Sequence, residues 1–289
     1  MSGAGFPFSW NIIDDVRLMW SVPSVLNAFR AGTIVAVLAA IVGWFMVIRR
    51  QSFAGHTLSV VGFPGAAAAV FLGVSVGYGY FAFCLAAALV IAAARSRAPG
   101  RTEADGAVVG TVNAFALATG LLFVALYKGF LNGTTELLFG SVLGITVNQV
   151  AALAVTAVVV LGTLAAIGRP LLFASVDAAL ARSRGVPTRL LDVAYLVLLG
   201  ITVAGVSQVT GSLLVFALLA LPPATAQLIT ARPGRGMAIA VVLALVTVWL
   251  ALAGTFFSSY PVGFWLTSIA FAFYVIAAGA RRVRESHHV

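Results

Sequence analysis

The sequence predicts an all-α integral membrane protein, a polytopic bundle of eight or nine transmembrane helices. Three observations lead to this class. The 289 residues are 62% hydrophobic and only 9% charged, with a mean hydropathy of +1.09, whereas soluble domains carry about 25% charged residues. Apolar runs recur along the chain, and each has about the 20 residues needed to cross a bilayer. Fourteen of the 17 Lys and Arg residues fall in five short segments between those runs.

Nine apolar segments are candidate spans. They cover residues 28–48, 57–75, 78–94, 106–127, 148–168, 190–207, 211–230, 236–257 and 262–280. Glycine and proline interrupt two of them, with Gly62, Pro64 and Gly65 in the second span and Pro222-Pro223 in the seventh. Because proline removes a backbone N–H and collides with the preceding turn, we expect a break or kink at both places. The spans are rich in Gly and Ala, which lets helices approach closely and predicts a compact bundle.

The basic residues predict an orientation. The five basic segments cover residues 49–50, 95–101, 169–189, 232–235 and 281–284. Alternating spans bring all five to one side, which the positive-inside rule assigns to the cytosol. Arg17, Arg30 and Lys128 fall on the opposite side. We therefore expect a multi-pass protein of the cell membrane with its N-terminus outside and its C-terminus cytosolic. The net charge of +9 then reflects topology and contact with membrane lipid, with no nucleic-acid partner.

We expect one transmembrane domain over residues 1–289, with an interfacial segment at 1–24, a cytosolic loop at 169–191 and a cytosolic tail at 281–289. The sole cysteine, Cys84, excludes a disulfide within the chain and a thiolate metal cage. The sequence has no Gly-x-x-x-x-Gly-Lys-Ser/Thr string. If transport is driven by ATP, the nucleotide chemistry therefore belongs to a partner chain.

The loop at 169–191 has the markers of a short helix. Pro170 is expected to break the preceding span. Ser175 is a candidate N-cap, and Asp177 follows in the first turn, where the helix dipole favours an anion. Gly185 fits a helix stop. These markers delimit a helix of roughly eight residues, which is too short to span a bilayer of about 30 Å. It is expected on the cytosolic face, either as a coupling helix docked into a partner ATPase or as an ordinary loop helix.

The segment 49–67 has the strongest local signal for a substrate path. Polar residues, among them His56 and Ser59, follow two arginines and precede the Gly/Pro-interrupted run. Broken helices are how transporters expose polar groups to a substrate, and neutral imidazole is a common metal ligand. His56 is therefore a candidate metal ligand, with a hydrogen-bonded interfacial histidine as the alternative. Gln208 is a further candidate for a polar path, and hydrogen bonding between helices is its alternative role.

The acidic residues argue against two other classes of membrane protein. None of the eight Asp and Glu residues lies in the middle of a candidate span, and Asp192 stands at a cytosolic start. Ion-coupled carriers usually keep a carboxylate inside the membrane. An intramembrane hydrolase would need paired carboxylates or a Ser–His set. The chain is thus expected to be a transport subunit rather than an enzyme.

At these residues the sequence resembles the integral membrane permeases of zinc, manganese and iron ABC importers, the ABC-3 family. The resemblance extends over about residues 27–282. The matching elements are RRQSFAGHTLS at 49–59, LLFGSVLGIT at 137–146, RPLLFASVDAALARSRGVP at 169–187 and GSLLVFALLALPPATA at 211–226. Their specificity comes from their combination in this order.

The resemblance implies a homodimeric permease with a fold like that of type II ABC importers. Such a permease binds two cytosolic ABC ATPase subunits, which carry out ATP hydrolysis, and receives metal from an extracytoplasmic metal-binding protein. The segment 175–187 resembles the family's ATPase-contacting element, which implies coupling roles for Asp177, Ala181, Gly185 and Val186. The transported ion is implied to be divalent zinc or manganese, with no cofactor stably bound.

The family pattern often has a second ligand four residues after the first, one helical turn away. Here the first position is His56 and the second is Val60, which cannot ligate a metal. Three accounts stay open: His56 acts with water, a dimer supplies His56 twice across its two-fold axis, or the cargo is a metal chelate, siderophore or vitamin. A stand-alone secondary carrier and a non-transporting scaffold are the remaining alternatives.

Overall fold

The computed structural model describes residues 21–97, 102–126, 144–212, 214–258 and 260–286. Within these ranges the chain forms ten α-helices and no strand. In chain order they are α1 (Pro23–Ile48), α2 (Ser52–Leu72), α3 (Val76–Arg97), α4 (Thr102–Leu126), α5 (Val147–Val176), α6 (Ala178–Ser183), α7 (Thr188–Thr210), α8 (Val215–Ile229), α9 (Pro233–Phe257) and α10 (Val262–Ser286).

Eight of these helices are long and apolar enough to cross a membrane, namely all except α6 and α8. This confirms the predicted class of polytopic helical membrane protein. The predicted seventh span, 211–230, contains α8, which has 15 residues. At 1.5 Å per residue it reaches roughly 22 Å, less than the hydrocarbon core of about 30 Å. Residues 1–20 of the predicted interfacial segment and most of the 137–146 element lie outside the described residues.

The helix breaks expected at Pro64 and Pro170 are absent, whereas the kink expected at Pro222-Pro223 stays a prediction. Pro64 lies inside α2, Pro170 inside α5, and Pro222-Pro223 inside α8, and each helix is continuous through its proline. The prediction that Pro170 ends its span was therefore wrong, as was the prediction of a broken second span. Membrane helices tolerate proline because neighbouring helices and side chains compensate for the lost backbone hydrogen bond. In α2 the buried run from Phe63 to Ala69 provides such surroundings.

The described residues group into two compact units, to both of which α1, α5 and α8 contribute residues. One unit, Phe45–Gly140 and Thr156–Phe216, contains α2, α3, α4, α6 and α7. Its core depends on small residues. A Cβ on Gly65 would collide with the carbonyl oxygen of Gly79, and a Cβ on Gly79 with that of Gly65. The backbones of α2 and α3 therefore touch, as expected for helices that associate through van der Waals contact.

The other unit, Met1–Trp44, Ser141–Val155 and Ala217–Val289, contains α9, α10 and most of α1. Two tryptophan side chains donate indole N–H hydrogen bonds within this unit. Trp249 Nε1 donates to Thr33 Oγ1 at 3.1 Å, and Trp265 Nε1 donates to Ser258 Oγ at 2.8 Å. The prediction of one domain over the whole chain stays a prediction.

Large apolar side chains cover the outer faces of several helices. Phe115 on α4, Val158 on α5 and Ile276 on α10 are each more than two-thirds exposed, at 72%, 73% and 68%. Exposing so much apolar surface to water is unfavourable, whereas lipid tails are as apolar as these side chains. The exposure therefore fits helices whose outer faces contact lipid.

Candidate translocation path and coupling element

His56 lies in the first turns of α2, and its side chain is exposed on the surface of this chain. Its ring meets the Phe216 ring edge to face, with 5.0 Å between centroids and 72° between planes. Aromatic contacts of this geometry orient a ring without enclosing it. The contact with Phe216 thus leaves the imidazole exposed on the surface of this chain.

Val60 follows His56 by one helical turn and is half-buried. It carries no donor atom. Within the described ranges, no group of three or more His, Cys, Asp or Glu residues comes together to hold a metal ion.

Ser59, the second predicted path residue, is buried at 2% exposure. Its hydroxyl donates to the carbonyl oxygen of Gly55 at 2.9 Å, one turn back in the same helix. Serine and threonine often satisfy their hydroxyls in this way inside helices. Ser59 is thus close to His56 in the sequence, but its hydroxyl is already hydrogen-bonded within α2.

Gln208, the third predicted path residue, belongs to a different neighbourhood. It is half-buried near the end of α7, and its Nε2 donates to the carbonyl oxygen of Ala204 at 3.4 Å. A Cβ on Gly77 would lie 3.0 Å from its Oε1. Gly77 is two residues before Gly79, and Gly79 touches α2 at Gly65. Along the axis of α2, Gly65 lies about 14 Å beyond His56. The structure does not bring Gln208 to His56.

Two further hydroxyls differ from the usual pattern. Thr57 on α2 and Ser207 on α7 are buried, at 0% and 1% exposure, and neither hydroxyl has a hydrogen-bond partner among the described residues. Ser207 Oγ would lie 3.4 Å from a Cβ on Gly62, so it faces the middle of α2. Buried hydroxyls are normally paired. Sequence alone does not distinguish these two from Thr202, whose hydroxyl donates to the Leu198 carbonyl.

The short helix predicted in the 169–191 loop forms, but it starts later than expected. Asp177 is the N-cap of α6, and its Oδ1 accepts hydrogen bonds from the backbone N–H groups of Ala179 and Leu180 at 3.0 and 2.8 Å. Ser175 belongs to α5 and donates to the Leu171 carbonyl oxygen at 2.6 Å. The prediction of Ser175 as N-cap was wrong because its hydroxyl already serves its own helix. The helix has six residues, not about eight.

The end of α6 has the predicted stop. Gly185 has φ of +77°, in the left-handed region that favours glycine. Its N–H donates to the Arg182 carbonyl oxygen at 3.0 Å, and the N–H of Val186 donates to that of Ala181, also at 3.0 Å. Ala181 is fully buried, whereas Asp177 and Gly185 are exposed. Of the four predicted coupling residues, Ala181 thus anchors the helix and two are exposed at its ends.

Two apolar side chains are exposed in and near this helix. Val176, just before α6, is 77% exposed, and Leu180 within it is 44% exposed. Leu180 belongs to a connection for which basic residues such as Arg182 and Arg184 favour a position outside the membrane.

Comparisons with known proteins agree with this architecture. The model of the ABC 3 transport family matches residues 21–280. The manganese import system permease protein ScaB of Streptococcus parasanguinis is 30% identical over 202 residues, covering 70% of this chain and 71% of that protein. The chelated iron transport system membrane protein YfeC of Yersinia pestis is 29% identical over 241 residues, covering 83% and 76%.

A solved structure shows the same fold. It is PsaBC from Streptococcus pneumoniae in complex with Fab, with a TM-score of 0.81 at 23% identity over 92% of this chain and 95% of that chain. The family match extends over nearly the whole described structure, from before α1 into α10. The protein therefore belongs to the ABC 3 transport family.

Proposed function

We propose that this chain is the membrane-spanning permease subunit of an ATP-binding cassette importer for a divalent transition metal ion, manganese or zinc. The family match over residues 21–280 carries the proposal. The manganese permease of Streptococcus parasanguinis, 30% identical to this chain, supports a metal cargo. The exposed imidazole of His56 supports a metal contact in the path.

The path is proposed to run past His56. A lone imidazole suits zinc, whereas manganese favours oxygen ligands, so the coordination would be completed by water or by a second copy of His56. In a homodimer, the two-fold axis would present the same surface from both protomers. The exposure of His56 on a single chain supports this arrangement.

The energy is proposed to come from partner ATPase subunits that dock on α6. The capped helix, with Asp177 and Gly185 at its ends and Leu180 exposed, supports a rigid docking element. ATP hydrolysis would belong to the partner, because the sequence lacks a phosphate-binding loop. An extracytoplasmic metal-binding protein would deliver the ion on the opposite side. The basic segments at 49–50, 95–101 and 169–189, which the spanning helices α1 to α5 bring to one side, support a cytosolic position for α6.

A metal chelate is the second candidate cargo. Val60 removes the second ligand from the turn after His56, and a chelated ion brings most of its own ligands. The chelated iron membrane protein of Yersinia pestis is a relative with such a printed cargo.

The test is metal uptake by His56→Ala in cells that depend on this importer. We expect uptake to fall roughly tenfold or more, the scale of losses around metal ligands, while the amount of protein in the membrane stays normal. Phe53→Ala is the matched control, because Phe53 is also exposed in the first turn of α2 and carries no ligand atom. Unchanged uptake in His56→Ala would contradict the role of this histidine.

A further inference from the structure

Arg49 occupies the turn that joins α1 to α2, and its side chain is only 6% exposed. Its guanidinium forms an ion pair with Asp192 on α7. The Nη1 atom also donates to Ser175 Oγ at 2.9 Å, and the guanidinium carbon lies 5.2 Å from the centre of the Tyr195 ring. Arg49 thus contacts α5 and α7 from the turn before α2.

These partners lie on both sides of the coupling helix α6. Ser175 is two residues before its N-cap, Asp177, and Asp192 is in the first turns of the following helix. Arg49 itself is seven residues before His56. One side chain therefore connects both flanks of α6 to the start of the helix that carries the candidate ligand.

The turn around Arg49 is fixed by its backbone. The N–H of Arg49 donates to the Phe45 carbonyl oxygen at 2.9 Å, and that of Gln51 donates to the Met46 carbonyl oxygen at 3.0 Å. Arg50, between them, has a φ of +54°, in a backbone region that residues other than Gly, Asn and Asp seldom adopt. We expect a turn held by these hydrogen bonds to pass a displacement of Arg49 on to α2.

A role in membrane topology alone does not account for Arg49. A topology arginine needs only to remain on the cytosolic side, in water or at lipid phosphates. Burial lowers the pKa of Arg49, whereas the Asp192 carboxylate raises it. The guanidinium is thus desolvated and compensated by specific partners. Arg50, the next residue, is exposed.

We propose that Arg49 is the positioning residue that links the coupling helix to α2, so that movement of α6 on its ATPase displaces the segment around His56. This inference rests on the proposed permease function. The fork of the guanidinium reaches Ser175 and Asp192 together. A lysine at this position would keep the charge but present a single ammonium, which does not reproduce that fork.

The test follows nucleotide-driven motion at two sites in the permease–ATPase complex and needs no metal. In a Cys84→Ala chain, a cysteine is placed on α2 by Phe53→Cys or on α6 by Ser183→Cys, both at exposed positions. The rate of maleimide labelling is measured with and without ATP. With Arg49 present, we expect ATP to change the rate at both sites.

With Arg49→Lys, we expect the ATP-dependent change to persist at Ser183→Cys and to be lost at Phe53→Cys. Arg50→Asn is the matched control, because asparagine tolerates the left-handed backbone, and both responses should remain. A second variant, Ser175→Ala, keeps the ion pair and should weaken the response at α2 only in part.

The outcomes separate the two proposals. An undiminished response at Phe53→Cys in Arg49→Lys would overturn the link while leaving the permease function intact. A chain with Arg49 that binds no ATPase would overturn both. If Arg49→Lys is absent from the membrane, Ser175→Ala decides: an unchanged α2 response in that variant overturns the link.

Discussion

Gly185 follows the short helix α6 and ends it. A glycine after a short helix predicts a stop, and its φ of +77° shows the left-handed conformation that such a stop uses. Among the described residues, no atom outside Gly185 and its two chain neighbours lies within 4 Å of where a Cβ would be. The need for glycine here is therefore a need of the backbone and not of space.

Gly185→Pro should uncouple the ATPase. Proline cannot adopt positive φ and would remove the N–H that donates to the Arg182 carbonyl oxygen. We expect severalfold less ATPase to co-purify with this variant, while the permease still inserts into the membrane. Gly185→Asn is the matched control, because asparagine costs less than the 1–2 kcal/mol, roughly, that other residues lose in this region. Equal ATPase recovery with Gly185→Pro would contradict a coupling role for α6.

Arg49 shows the limit of sequence reasoning at a single residue. Its place at the end of an apolar run predicts a cytosolic charge. Its hydrogen bond to Ser175 and its ion pair with Asp192 connect residues 126 and 143 positions apart. No local pattern specifies such contacts, because they depend on which helices lie together. For the same reason, the sequence does not predict that the buried hydroxyls of Thr57 and Ser207 have no hydrogen-bond partner among the described residues.

At the scale of helices, hydropathy predicted the long spans well because about 20 apolar residues are needed wherever a helix crosses lipid. It failed at the prolines. Pro64 and Pro170 were expected to break helices, yet α2 and α5 continue through them. In α2, burial by neighbouring helices along most of its length outweighs the tendency of proline to break a helix. The N-cap of α6 is Asp177, two residues after the predicted Ser175, because the Ser175 hydroxyl is hydrogen-bonded within α5.

The sides of the membrane can be assigned by labelling two connections between helices. In a Cys84→Ala chain, we expect Ser75→Cys, in the exposed turn between α2 and α3, to react with an impermeant maleimide in intact cells. Ser183→Cys on α6 should react only after permeabilisation, because the basic residues around it favour the cytosol. Cys84 is buried, so the chain with Cys84 alone should stay unlabelled and serves as the control. The opposite pattern would reverse the orientation.

At the scale of the whole molecule, composition predicted the class because 9% charged residues cannot cover a water-exposed surface. The exposed apolar faces of α4, α5 and α10 agree with this. The division into two compact units was not predicted. It arises from contacts among distant segments, and no linker rich in Pro, Ser or charge marks it in the sequence.

The central claim is that this chain passes a divalent metal when a partner hydrolyses ATP. The most direct test is uptake of radiolabelled manganese, zinc and iron into liposomes that contain the chain with its co-expressed ATPase, with the metal-binding protein outside. We predict ATP-dependent uptake of manganese or zinc that disappears when ATP is replaced by a non-hydrolysable analogue. No ATP-dependent uptake of any of the three ions, while the bound ATPase still hydrolyses ATP, would contradict the claim that the chain transports a bare metal ion.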